Sequence, residues 1–405
     1  MPAMLTRRET FRFALTAGAG ALAAGGGGMA FAADATVTLP MANGERPLVA
    51  YPGKRPLIRL TTRPPQLETP FSVFDEGPIT PNDAFFVRYH LEKIPLSIDP
   101  DAYRLTLGGQ VDKPLSLSLH DLKTGFEPVE VVAVNQCSGN GRGFFNPRVG
   151  GGQLANGAMG CARWKGVPLK AILAKAGVKP GVVQVSFEGL EQPLLEPPFI
   201  KALDIDHARD GEVMVAYAMN GEDLPWLNGF PARLVVPGYY GTYWMKHLAR
   251  VNALDAPFDG FWMKSAYRIP DNACACVEPG KTAASTVPIG RLDVRSFITN
   301  VQDGATVAAN QELPLRGIAF DGGNGIARVV VSPDEGRSWV DATLGEDLGK
   351  YAFRPWAARL TLPPGEHRVL VRATNNAGQS QPLDPLWNPS GYMRNVVEGV
   401  NVRAA

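Results

Sequence analysis

The sequence predicts an α+β chain of two successive domains, a mixed α/β domain over residues 76–288 and an all-β immunoglobulin-like sandwich over residues 289–405. In the first, Tyr103-Arg104-Leu105-Thr106-Leu107 alternates as a half-buried strand does. Leu169, Ile172, Leu173 and Ala176 recur at helical spacing with Gly177 as the stop, which marks a short amphipathic helix. Beyond about residue 290 the texture changes to short β-type runs broken by turns. Ile326 to Val331 reads as a strand, Ser332-Pro333-Asp334-Glu335-Gly336 as a turn, and Trp339 as part of the next strand. Val369, Val371 and Ala373 alternate, and Asn375-Asn376-Ala377-Gly378 is another turn. Strands at this regular spacing predict a sandwich.

The N-terminal region divides in two. Thr6-Arg7-Arg8-Glu9-Thr10-Phe11-Arg12, an Ala/Gly-rich stretch and the small-residue site Ala30-Phe31-Ala32 read as a twin-arginine export signal over residues 1–32. That route carries folded proteins and predicts a periplasmic location. Residues 33–75 hold Pro40, Pro47, Pro52, Pro56, Pro64, Pro65 and Pro70, and predict an irregular, extended arm over the first domain. No other stretch approaches the ~18 apolar residues of a membrane span.

Formal net charge is +1, and loss of Arg7, Arg8, Arg12 and Glu9 with the signal takes it to −1, which argues against nucleic acid as a partner. The four cysteines are Cys137, Cys161, Cys274 and Cys276, too few for a disulfide scaffold. Cys274-Ala275-Cys276 reads as either a bridge or half of a metal site, but no second Cys pair or adjacent His completes a zinc set. A structural role is the expectation for both, and for Cys161.

Cys137 differs. It follows the apolar run Val129 to Val134, which reads as a buried strand, and opens the Gly-rich segment Ser138-Gly139-Asn140-Gly141-Arg142-Gly143. A thiolate at the end of a rigid strand can face a large cofactor, and Arg142 brings positive charge nearby. Four further blocks accompany it: Asn82-Asp83-Ala84-Phe85-Phe86-Val87-Arg88-Tyr89-His90, Ala162-Arg163-Trp164-Lys165-Gly166-Val167-Pro168-Leu169, Gly229-Phe230-Pro231-Ala232-Arg233-Leu234-Val235-Val236-Pro237-Gly238, and Trp244-Met245-Lys246.

In this order the five blocks resemble the sulfite oxidase family of molybdenum enzymes, in particular the catalytic subunits of bacterial periplasmic sulfite dehydrogenases. The resemblance implies a molybdenum–molybdopterin cofactor whose metal is held by Cys137 beside two dithiolene sulfurs and two terminal oxygens. It implies that Arg88 and Arg142 bind the sulfite dianion, a guanidinium forking onto two oxyanion oxygens. His90, two residues past Arg88, would share its side of an extended segment. Tyr267 matches the family's active-site tyrosine and would donate a hydrogen bond and relay a proton. Trp164 would wall the substrate pocket. Asn82, Phe85, Phe86, Glu191, Asn228, Arg233, Trp244, Met245 and Lys246 would hold the pterin and its phosphate, with Asn228 standing where several relatives carry His. Animal relatives also place an Arg in a Trp-Asn-x-Arg-Gly segment of the second domain. Here that stretch is Trp387-Asn388-Pro389-Ser390-Gly391, so either Arg394 substitutes or the pocket is less cationic.

The chain has no Cys-x-x-Cys-His attachment motif, so haem is expected on another chain, a c-type cytochrome paired as a heterodimer or meeting a homodimer. Competing readings are a nitrate or sulfoxide reductase and a non-enzymatic sandwich module for adhesion. The last leaves Cys137, the arginines and the export signal unexplained.

Overall fold

The computed structural model describes residues 35–405, so the export signal lies outside the described residues. The Pro-rich segment is not the irregular arm that its composition predicts. It forms the strands Thr36–Thr38, Glu45–Val49, Leu57–Thr61 and Gln66–Glu68, which pair in order and end on Val87–Arg88. Pro52, Pro56, Pro64 and Pro65 sit in the connections, where a missing N–H costs no ladder bond. Between them, Leu57 and Leu67 bury against Val87, Tyr89 and Leu227, tying the segment to the domain that follows.

Two sheets make the first domain. One runs in the order Ile200–Asp204, Gln184–Gly189, Leu248–Leu254, Arg104–Gly109, Leu115–Ser118, with only the Leu248–Leu254 to Arg104–Gly109 pair parallel. The other runs Glu222–Asp223, Met214–Met219, Met159–Pro168, Val129–Gln136, with Arg233–Val235 paired to Met214–Met219. The helix Leu169–Ala176 buries Leu169, Ile172, Leu173 and Ala176 and stops at Gly177, whose φ of 67° suits glycine. Each fully buried Leu or Ile there stabilises by roughly 1.5–3 kcal/mol. A second helix, Leu119–Thr124, starts with a reciprocal capping box between Ser118 and Asp121.

Two further sheets form the sandwich. The first orders Arg295–Ile298, Glu312–Phe320, Arg354–Thr361 and Thr343–Leu344; the second orders Ala305–Val307, Glu398–Ala404, Gly365–Asn375, Ile326–Ser332 and Val340–Asp341. Val369, Val371 and Ala373 point inward onto Val329, Val331, Leu315 and Trp356, as their alternation predicts. The sandwich also shares apolar contacts with the end of the Pro-rich segment: Phe353 meets Phe74 edge-on at 5.9 Å and Phe297 meets Phe71 at 5.4 Å. Cys274 and Cys276 are joined to one another as a disulfide. Cys161 is buried, accepts the Phe353 N–H, and has its thiol pushed up to about 12 by burial. Among the described residues no helix is long and apolar enough to cross a membrane.

Candidate active site

The strand Val129–Gln136 delivers Cys137 to the lining of a partly open cavity. Its backbone is pinned on both sides. Cys137 N–H donates to Ala158 O at 2.9 Å, and Asn140 N–H donates to Cys137 O at 3.0 Å. Asn140 Oδ1 accepts from Ala158 N–H at 3.0 Å, closing the loop on the neighbouring strand. Gly141, at φ 85°, supplies the left-handed turn that follows. The second domain reaches in as well: buried Arg295 donates to Gln136 Oε1 at 3.3 Å while it pairs with Glu398 at 2.8 Å.

The facing wall carries Arg88, His90, Glu191, Lys246 and Tyr267. Glu191 is its organiser, because Oε2 accepts the backbone N–H groups of His90 and Leu91, both at 3.1 Å, and Oε1 lies 3.8 Å from Lys246 Nζ. Lys246 in turn donates to Arg88 O at 2.5 Å and sits over the Tyr89 ring. These contacts fix the segment that presents Arg88 and His90. Tyr267 adopts φ 57°, a left-handed conformation that costs a bulky residue energy, and its hydroxyl meets His90 Nε2 at 2.7 Å.

Burial sets the electrostatics. It holds His90 well below its ordinary pKa, reinforced by the positive charges of Arg88, Lys246 and Lys201, so the imidazole is neutral. It pushes the Tyr267 phenol up, opposed by Arg88. Lys246 is lowered to about 8 by burial, with Glu191 acting against the shift. Arg233 is lowered to about 9, again by burial.

The other end of the cavity is lined by Phe85, Phe86, Asn228, Arg233, Trp244 and Met245. Asn135, Ser138, Gly241 and Thr242 also line it; the first two flank Cys137 in its own segment without having been singled out, and the last two lie outside every block. Ser138 follows Cys137 directly, and Asn135 shares the side of the strand end, two residues upstream; that adjacency was the available signal. Four buried polar atoms here have no partner among the described residues: Asn135 Oδ1, Ser138 Oγ, Thr242 Oγ1 and Arg233 Nε. A Cβ on Gly241 would strike Asn135 Oδ1, so the cradle keeps its shape only with glycine. Among the described residues no three His, Cys, Asp or Glu side chains gather to hold a metal. A metal at Cys137 would therefore bring its remaining donors on an organic group, and the unpaired polar atoms with Lys246 and Arg233 suit a large polar cofactor ending in phosphate.

Three predicted residues point elsewhere. Trp164 is fully buried behind the cavity, where its indole donates to Ala133 O at 3.1 Å and its face carries Arg233 at 4.9 Å, so it supports the cofactor end instead of walling the substrate. Asn82 spends its side chain on Met219 O, Glu222 and Asn220, while its carbonyl accepts from Lys54. Arg142 turns toward the second domain, donating to Ser390 O at 3.1 Å with its guanidinium 4.8 Å from the centre of the Tyr392 ring. Tyr392 stacks on Tyr267 at 5.4 Å. Arg394 does not replace the missing second-domain arginine, since it pairs with Glu398 and covers Phe144. Asn228 binds Lys54 Nζ and Phe86 O through its side-chain amide, and its carbonyl accepts from Arg233.

Two family profiles place the chain among molybdopterin oxidoreductases: the oxidoreductase molybdopterin binding domain matches residues 90–262, and the Mo-co oxidoreductase dimerisation domain matches residues 286–404. The chain belongs to the sulfite oxidase family. It is 35% identical to mitochondrial sulfite oxidase of Rattus norvegicus, over 87% of this chain and 66% of the relative, and 32% identical to sulfite oxidase of Gallus gallus, over 87% and 79%. The chain thus spans about two thirds of the length of the rat protein. Among solved structures it resembles the sulfane dehydrogenase SoxCD of Paracoccus pantotrophus, with 27% identity, a TM-score of 0.71 and coverage of 85% of this chain and 88% of that one.

Proposed function

We propose that this chain is the catalytic subunit of a periplasmic sulfite dehydrogenase, which oxidises sulfite to sulfate and passes the electrons singly to a c-type cytochrome. The observation that carries the reading is the meeting of one buried thiol, Cys137, with Arg88, His90 and Tyr267 around a single cavity. When bound, a molybdenum–molybdopterin group would supply the two-electron, oxygen-atom chemistry that side chains lack. Cys137 would hold the metal, while Arg233, Lys246, Asn135, Ser138 and Thr242 would hold the pterin and its phosphate. Arg88 offers a charged fork to a dianion, and Glu191 and Lys246 keep it in place. Tyr267 donates a hydrogen bond toward the bound oxyanion, and neutral His90 holds its hydroxyl in place through Nε2.

The twin-arginine sequence supports export of a folded, cofactor-loaded protein, and the absence of a haem-attachment motif from the sequence supports a separate cytochrome. The test is metal analysis of the purified protein followed by sulfite-dependent reduction of cytochrome c. About one molybdenum per chain with cytochrome reduction supports the reading; no molybdenum, or turnover with oxygen alone, overturns it. The likeness to SoxCD favours a second reading, oxidation of a sulfane sulfur. Turnover of a sulfane donor in preference to sulfite would select it.

A further inference from the structure

Lys201 carries a buried charge that the mechanism above does not use. It lies in the strand Ile200–Asp204 with no exposed surface, and its ammonium makes one hydrogen bond among the described residues, to Trp262 O at 2.6 Å. No carboxylate pairs with it among those residues, and the neighbouring charge that most affects it is the like-signed Arg268. An ammonium taken out of water without a counter-ion is unfavourable, so an apolar side chain would serve a purely structural position better. Its surroundings are those of the site. Lys201 Nζ lies 4.6 Å from the centre of the Tyr243 ring and 5.5 Å from that of Tyr267, and its charge is felt at His90. Trp262, whose carbonyl it holds, belongs to the helical turn Phe261–Lys264 that leads into Tyr267.

We propose that Lys201 is a positioning residue for Tyr267, fixing the turn before it through the Trp262 carbonyl and placing a cation beside the phenol ring. A cation there draws electron density from the ring and makes the O–H a stronger donor to an oxyanion in the cavity. The inference rests on the reading that the cavity takes sulfite and releases sulfate. Burial, with Arg268, brings Lys201 down to about 7, so its charge, and with it the donor strength of Tyr267, falls as pH rises through neutrality. The other groups facing it are Tyr243, Tyr267 and His90, none of which is charged there.

The experiment uses molybdenum-loaded protein and five variants: Lys201→Met, Lys201→Gln, Lys201→Arg, Tyr267→Phe and the double variant Lys201→Met with Tyr267→Phe. Lys201→Met and Lys201→Gln are expected to keep metal content and melting temperature, to lower kcat for sulfite and affinity for sulfate by roughly tenfold, and to lose the decline of kcat with rising pH near neutrality. Lys201→Arg should restore most of the loss. In a Tyr267→Phe background, Lys201→Met should change little further, because both act through one hydroxyl. Unchanged kcat and sulfate affinity in both neutral variants, or full additivity with Tyr267→Phe, overturns the role of Lys201 while leaving sulfite oxidation standing. Wild-type protein inert to sulfite and blind to sulfate overturns both.

Discussion

The Tyr267 hydroxyl lies 2.7 Å from His90 Nε2, and the two residues stand 177 positions apart in the chain. His90 is also stacked on Phe199 at 3.5 Å, and its Nδ1 is buried without a partner among the described residues. This imidazole is held in one orientation, neutral, with one nitrogen committed to the phenol. Because burial and three cations keep it well below its ordinary pKa, the acid limb of a sulfite kcat profile should show no inflection near ~6.5, the usual histidine value. His90→Phe should lower kcat more than it raises KM. An inflection that vanishes in the variant would show that the imidazole titrates in the working range.

Cys137→Ser should abolish sulfite oxidation while leaving the pterin-borne metal and the fold in place, because the pterin's contacts do not involve the thiol and the loop is held by the backbone bonds to Ala158 and Asn140. Metal analysis and thermal melting check the two halves separately. Activity retained above a few per cent sinks Cys137 as the metal ligand.

Arg88 and Arg142 should separate. Arg88 lines the cavity, so Arg88→Gln should raise the sulfite KM by on the order of ten- to a hundredfold, the effect of losing one charge-assisted hydrogen bond. Arg142 is engaged by Ser390 O and Tyr392, so Arg142→Gln should act less on KM and more on stability across the domain contact. Equal KM effects, measured by steady-state kinetics, would place both guanidinia on the substrate.

Glu68 tests the folded state. It is fully buried, with Oε1 accepting Ala155 N–H at 2.7 Å and Oε2 unpaired among the described residues, and burial raises its pKa to about 7 from 4.5. The folded state therefore holds a proton that the unfolded state releases between pH 4.5 and about 7, and stability falls as pH rises through that window. Glu68→Gln, which keeps the neutral shape, should melt close to wild type near pH 4.5 and above it at pH 8, by up to a few kcal/mol. Denaturant titration at the two pH values measures this, and a wild-type advantage at pH 8 contradicts it.

Much of the framework was legible because the period of apolar residues reports the face a segment buries. Leu169 to Ala176 could bury one stripe only as a helix, and Val369, Val371 and Ala373 could share a face only as a strand. The same rule failed over residues 36–68, where prolines dominate the composition but fall mainly in connections, so that short strands form between them.

The family, the succession of the two domains and the place of Cys137 at the end of a strand could be read from the chain, since each is written in local pattern and in blocks of residue types. Which side chains meet depends on long-range packing. Arg142, Trp164 and Asn82 belong to matching blocks, yet each finds a nearer partner outside the cavity: Ser390 and Tyr392, Ala133, and Asn220. Lys201 and Thr242 match no block, yet one lies beside Tyr267 and the other lines the cavity. The reason is physical. Secondary structure follows from neighbours a few residues away, whereas a site is assembled from segments more than a hundred residues apart, and their relative placement is fixed by the packing of whole sheets.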